Sequence, residues 1–162
     1  IAGIPYPVIL MLVIFIIGAF VIFCTRTGRY IYGVGGNEEA SRLSGVKVVK
    51  TKIIVYVVSG FLAAVAGLVL LSRTNSGQPS AADGAEMDAI TAVVLGGVSM
   101  NGGKGNIWLV IVGVVIMGTL TTGMVMNNIN DYAQQVIKGL VLIAAVAFDS
   151  FSQRVKAKNV VV

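Results

Sequence analysis

The sequence predicts an all-α membrane protein, a polytopic helix bundle with about five crossings. Hydrophobic residues make up 56% of the 162 residues and charged residues only 12%. The mean hydropathy of +0.90 also lies far from the balance of soluble domains. Long apolar runs alternate with short polar passages, and the Lys and Arg residues behind the net charge of +5 flank these runs. That arrangement is typical of membrane topology and argues against a nucleic-acid partner.

The apolar runs place the crossings. Pro5 and Pro7 open the first run, where a missing N–H costs little. Ile1 is not an initiator methionine and no basic region precedes the first run, so we expect part of a longer chain without a removable signal peptide. The predicted spans are residues 7–24, 53–72, 88–99, 107–126 and 132–148, with a polar passage at 25–52.

The polar passage contains a compact helix signal between residues 37 and 45. Asn37 suits the N-cap and Gly45 the C-terminal end. Glu38 and Glu39 fall in the first turn and Arg42 near the last, which matches the helix dipole. This passage is either a capped loop between two membrane helices or a docking element for a soluble protein.

Ala40 and Leu43 are three residues apart on this helix and share one face. They form a small apolar ridge on an otherwise charged element. Such a ridge favours the second interpretation, in which the helix fits a groove on another protein.

The segment 89–98 is short for a regular span and contains Gly96 and Gly97 near its end. Short glycine-interrupted segments line pathways in transporters, because irregular backbone at membrane depth must face protein or water. The basic residues of the 25–52 passage and of the tail predict that both are cytoplasmic. Both can be so only if the short segment is also a crossing, which places residues 73–88 outside and Lys104 inside.

Three further features leave alternatives open. Lys138 lies inside the last apolar run, where it is either paired or functional within the bundle or extended to the membrane surface. Asp83, Glu86 and Asp88 form a carboxylate cluster of the kind that a membrane enzyme uses to bind a divalent ion or to act as acid and base, although the chain has no histidine to complete such a site. A passive channel or structural subunit is the third possibility.

We expect no catalytic residue, cofactor or metal in this chain. The turn at 101–106 is rich in glycine but lacks the spacing of a nucleotide-binding loop.

Several motifs occur in the order seen in one family. They are GRYIY at 28–32, GGNEEA at 35–40, RLSGV at 42–46, GQP at 77–79, EMDAI at 86–90, VVLGGVS at 93–99, GGKG at 102–105 and QQVIKG at 134–139. With these motifs the chain resembles the ribose-type monosaccharide permeases of bacterial ABC importers, over residues 25 to about 151.

The resemblance implies that residues 1–162 are the C-terminal half of a permease subunit in the bacterial inner (plasma) membrane, with the C-terminus cytoplasmic. It implies three protein partners: an ABC ATPase that hydrolyses ATP, a periplasmic or lipoprotein sugar-binding protein, and a second permease copy. Membrane lipid surrounds the assembly. Permeases for branched-chain amino acids or nucleosides share the architecture and are the alternative.

The resemblance also implies two sets of functional residues. The ATPase-coupling residues are Gly36, Asn37, Glu38, Glu39, Ala40, Arg42, Leu43, Ser44 and Gly45. The pathway or gate residues are Asp88, Leu95, Gly96, Gly97 and Ser99.

Overall fold

The computed structural model describes residues 5–78, 80 and 82–158, with side chains up to residue 151. Ile1, Pro79 of the GQP motif and the basic side chains of the tail lie outside the described residues. Within the described part the protein is all-helical and contains no strand, which confirms the predicted fold class. The helices are α1 (Tyr6–Cys24), α2 (Arg26–Gly36), α3 (Glu38–Leu43), α4 (Val48–Thr74), α5 (Ala85–Leu95), α6 (Ile107–Met126) and α7 (Asp131–Lys158).

Four of these helices, α1, α4, α6 and α7, are long and apolar enough to cross a membrane. Most of their apolar side chains are exposed, as expected for helices whose solvent is lipid. α6 has the bounds that the apolar run predicts. α4 is longer than its apolar run, because it begins at Val48 and includes Lys50 and Lys52. Long basic side chains can reach water from the end of a span, so the charges do not end the helix.

The chain forms two compact units, residues 1–81 and 82–162. In the first unit, α2 contacts α1, α3 and α4. The chain turns between α1 and α2 at Thr25, whose hydroxyl donates to the Val21 carbonyl at 2.6 Å and accepts from the Gly28 amide at 3.4 Å. A β-carbon on Gly28 would lie 2.0 Å from the Ile22 carbonyl oxygen, so this tight turn requires glycine.

In the second unit, α5 packs against both α6 and α7. Its Thr91 side chain is fully buried and donates to the Met87 carbonyl at 2.7 Å. The other buried residues of this unit include Ala92, Val94, Met117, Met124 and Gln134. The weakest of the predicted spans therefore forms the centre of its unit.

The 11 residues of α5 rise only about 16 Å along the helix axis. The hydrocarbon core is roughly 30 Å thick. Residues beyond Leu95 must supply the rest of a crossing, and whether the segment crosses stays a prediction.

Candidate functional site

The helix α3 is a short exposed projection of the first unit. The Asn37 side chain accepts a hydrogen bond from the Ala40 amide at 2.9 Å, and Gly45 takes the left-handed φ of +83° that follows the helix. The predicted cap and terminator are thus both confirmed. All nine predicted coupling residues are exposed.

The predicted apolar ridge is also exposed. Leu43 has 83% of its surface accessible, and Ala40 one turn earlier is exposed as well. A single exposed leucine is common on protein surfaces. Here, however, the leucine is on a capped helix with Glu39 and Arg42 beside it, so the exposed apolar ridge is flanked by charged residues.

α3 is tied to the beginning of α4. The Lys52 ammonium lies 2.6 Å from a Glu38 carboxylate oxygen, with both side chains about half exposed. A pair so exposed contributes at most about 1 kcal/mol. Its importance is therefore positional, since it links the projecting helix to a helix that is long enough to cross the membrane.

The glycines at the crossing of α5 and α6 bring the two backbones together. A β-carbon on Gly113 would lie 2.0 Å from the Ala92 carbonyl oxygen, and one on Gly96 would lie 2.7 Å from the Val110 α-carbon. Small residues at such crossings allow close helix packing in membranes. Gly96, predicted as a pathway residue, therefore lies in a packed contact with α6.

The turn after α5 folds back on itself. Gly97 has a φ of +75°, and the Ser99 amide donates to the Lys104 carbonyl at 3.0 Å. The Ser99 hydroxyl accepts from the Asn101 amide at 3.2 Å. Of the predicted pathway residues, Gly96 and Ser99 are buried, Asp88 and Leu95 are half-buried, and Gly97 is exposed.

Lys138 of α7 reaches Asp88 of α5. The ammonium lies 2.7 Å from one carboxylate oxygen, and the exposed fractions of the two side chains are 15% and 33%. The other carboxylate oxygen of Asp88 is buried without a hydrogen-bond partner among the described residues. Of the two alternatives left open by the sequence, the structure selects the paired lysine.

A comparison with protein-family models matches residues 1–146 to the family described as "Branched-chain amino acid transport system / permease component". The chain belongs to this permease family.

Three curated relatives show which members the permease resembles. It is 47% identical over 154 residues to the L-arabinose transport system permease protein AraH of Escherichia coli (strain K12), an alignment covering 95% of this chain and 47% of the relative. It is 44% identical over 147 residues to the ribose import permease protein RbsC of Bacillus subtilis (strain 168), covering 91% and 46%. It is 42% identical over 152 residues to the xylose transport system permease protein XylH of Haemophilus influenzae, covering 94% and 40%.

The resemblance to ribose-type sugar permeases is therefore confirmed. The permease chain spans about half the length of the curated relatives it matches. No solved structure matches it significantly.

The carboxylates considered for an enzyme site do not assemble into a metal site. Among the described residues, no group of three or more His, Cys, Asp or Glu side chains is placed to hold a metal ion. Asp88 instead points to Lys138. Within this permease the acidic run at 83–88 thus contributes one member of an ion pair.

Sequence reasoning missed two features of the permease. The first is helix α2, which lies in the polar passage at 25–52 but was not predicted from it. The second is the pair of ionic links, Lys52 to Glu38 and Lys138 to Asp88. The first link joins residues 14 positions apart and the second joins residues 50 positions apart. Sequence periodicity gives no signal for such contacts.

Proposed function

We propose that this chain is part of the transmembrane permease subunit of an ATP-driven ABC importer for a monosaccharide of the ribose type, in the bacterial inner membrane. This proposal rests on the similarity to permeases named for L-arabinose, ribose and xylose, which extends over more than 90% of the chain. All three named sugars are pentoses. The substrate is thus proposed to be a neutral five-carbon sugar or a close analogue.

The proposed energy source is a separate ABC ATPase that docks on α3. Closure of the ATPase pushes the capped helix, and the Leu43 ridge supplies the apolar contact. The Lys52 link to Glu38 then passes the movement to α4. Rocking of such spans changes the access of a central pathway between the two sides of the membrane.

The proposed assembly contains two permease copies, with a periplasmic or lipoprotein sugar-binding protein on the outer face. The segment between α4 and α5 faces that protein, and α5 with the following turn contributes Asp88, Leu95, Gly96, Gly97 and Ser99 to the pathway region. The packed positions of Gly96 and Ser99 suggest that they shape the α5 turn. Asp88 and Leu95 are only half-buried, so they are the better candidates for contact with the pathway.

A test of coupling uses Leu43. Leu43→Asp in the full-length permease places a charge on the ridge and is expected to abolish both sugar uptake and association with the ATPase. Insertion into the membrane should be unchanged, because the side chain is 83% exposed. The matched control Leu43→Met keeps an apolar side chain and should keep uptake. Normal uptake by Leu43→Asp would refute the coupling role.

The description of the family model favours a second candidate substrate, branched-chain amino acids. Uptake of labelled L-arabinose, ribose, xylose and leucine by cells that express the full-length permease with its partners separates the two. We expect transport of at least one pentose and none of leucine. Transport of leucine alone would replace the sugar assignment.

A further inference from the structure

The ion pair between Asp88 of α5 and Lys138 of α7 places a charged side chain within an apolar helix. Lys138 lies about two turns inside α7, within the stretch Asp131–Phe151 that is apolar enough to span a membrane. Its ammonium and the Asp88 carboxylate are 2.7 Å apart, and the lysine side chain is only 15% exposed. Charged groups in such positions are rare and normally paired.

Opening this pair is unfavourable for both members. The second carboxylate oxygen of Asp88 is buried and has no hydrogen-bond partner in the part of the chain that the structure describes. The carboxylate thus depends on Lys138 within this unit. Separating the charges would leave each one poorly solvated. The free-energy cost of breaking the pair in this way is far larger than the free energy gained by having the pair in place of two apolar residues.

The contact of α5 with α6 is also restrictive. At Gly113 and Gly96 the backbones of α5 and α6 leave no room for a β-carbon. Packed surfaces of this kind are close to crystal density and resist sliding. α5 is therefore fixed to α6 by backbone contact and to α7 by charge.

From these contacts we infer that Lys138 is a positioning residue: it holds the Asp88 carboxylate and keeps α5 joined to α7 through the whole transport cycle, so that α5, α6 and α7 move as one body. The role in transport rests on the proposed function, whereas the pairing itself does not. The movement that opens and closes the pathway must then arise at other contacts of the assembled permease.

A double-mutant cycle in the full-length permease tests the pairing. Lys138→Met and Asp88→Asn each leave one charge alone, so each should lower the maximal rate of sugar uptake by about tenfold or more with little change in the half-saturating sugar concentration. The double variant leaves no lone charge, so its loss of uptake should be clearly smaller than the two single losses combined. Lys138→Arg keeps the charge and should transport normally.

The same four variants are purified in detergent and their thermal unfolding is measured, which needs no transport. We expect a lower Tm for each single variant and a recovered Tm for the double variant. Additive losses in the double variant would overturn the inference. A parent permease that imports no sugar while this recovery is present would instead reject the proposed function alone.

Chemical bridging tests whether the helices stay joined. Asp88→Cys and Lys138→Cys are combined with Cys24→Ser in a full-length permease without other cysteines, and membranes are treated with a short bis-methanethiosulfonate reagent. We expect the two positions to be bridged and uptake to equal that of the same protein after reduction. Absence of bridging, or loss of uptake that a reductant restores, would overturn the inference.

Discussion

At the scale of single residues, the glycines of this chain differ sharply in what they allow. Gly113 and Gly118 both lie in α6, but of the two only Gly113 is close to another backbone. A β-carbon at Gly113 would lie 2.0 Å from the Ala92 carbonyl oxygen, while one at Gly118 would have no neighbour within 4 Å. The two positions therefore make a matched pair for testing the packing of α5.

We predict that Gly113→Ala destabilises the permease by about 1–3 kcal/mol or more, because the added methyl group forces the two helices apart. Gly118→Ala should be neutral or slightly stabilising, since alanine favours helix. Thermal unfolding of the detergent-purified permease measures both. Equal Tm values for the two variants would contradict the close contact between α5 and α6.

Lys138 shows what sequence reasoning can reach at this scale. A lysine within an apolar run identifies a constrained charge, so the sequence predicts that the residue is either paired or at the surface. The partner lies 50 residues earlier, and no local pattern encodes that distance. Only the packing of α5 against α7 identifies Asp88.

At the scale of elements, α3 was predictable and α2 was not. The signals of α3 are local, because Asn37 caps it and Gly45 ends it within one short stretch. The sequence of α2 contains four glycines in 11 residues, a composition that favours loops. One of them, Gly28, is explained by its contact with Ile22, and that contact exists only after α1 and α2 have packed.

We predict that Asn37→Ala weakens α3, because the Ala40 amide loses its side-chain acceptor. The loss should be about 1 kcal/mol, which corresponds to about fivefold faster amide exchange in the helix. Hydrogen exchange of residues 38–43 followed by mass spectrometry measures it. Asn37→Ser keeps a capping oxygen and should exchange like the parent; equally fast exchange in both variants would indicate that the cap contributes nothing.

At the scale of the whole molecule, the class of protein follows from composition and the family from motifs, while the number of crossings depends on α5. Among the described residues, four helices are long enough to span, and α5 has only 11 residues. The sequence of α5 does not show whether the segment is a span. A helix this short can lie at the centre of the unit because it is buried against α6 and α7, and that packing is a tertiary property.

Labelling of single cysteines tests the five-crossing topology. In a Cys24→Ser background, we predict that Glu39→Cys and Asn101→Cys react from the cytoplasmic side and that Ser76→Cys reacts from outside. The positive-inside rule favours this arrangement, because basic residues are concentrated in the 25–52 passage and in the tail. Membrane-impermeant thiol reagents on intact cells and on inverted vesicles measure it. Reaction of Asn101→Cys from the same side as Ser76→Cys would show that α5 does not cross.

The length of α4 has a mechanical consequence. Its 27 continuous residues extend about 40 Å, roughly 10 Å more than the hydrocarbon thickness. The Lys52 end, which holds the projecting helix, and the Thr74 end thus belong to one stiff rod without an intervening joint. On the proposed mechanism this rod is a lever, and force applied to it in the aqueous layer reaches the opposite leaflet without passing through a loop.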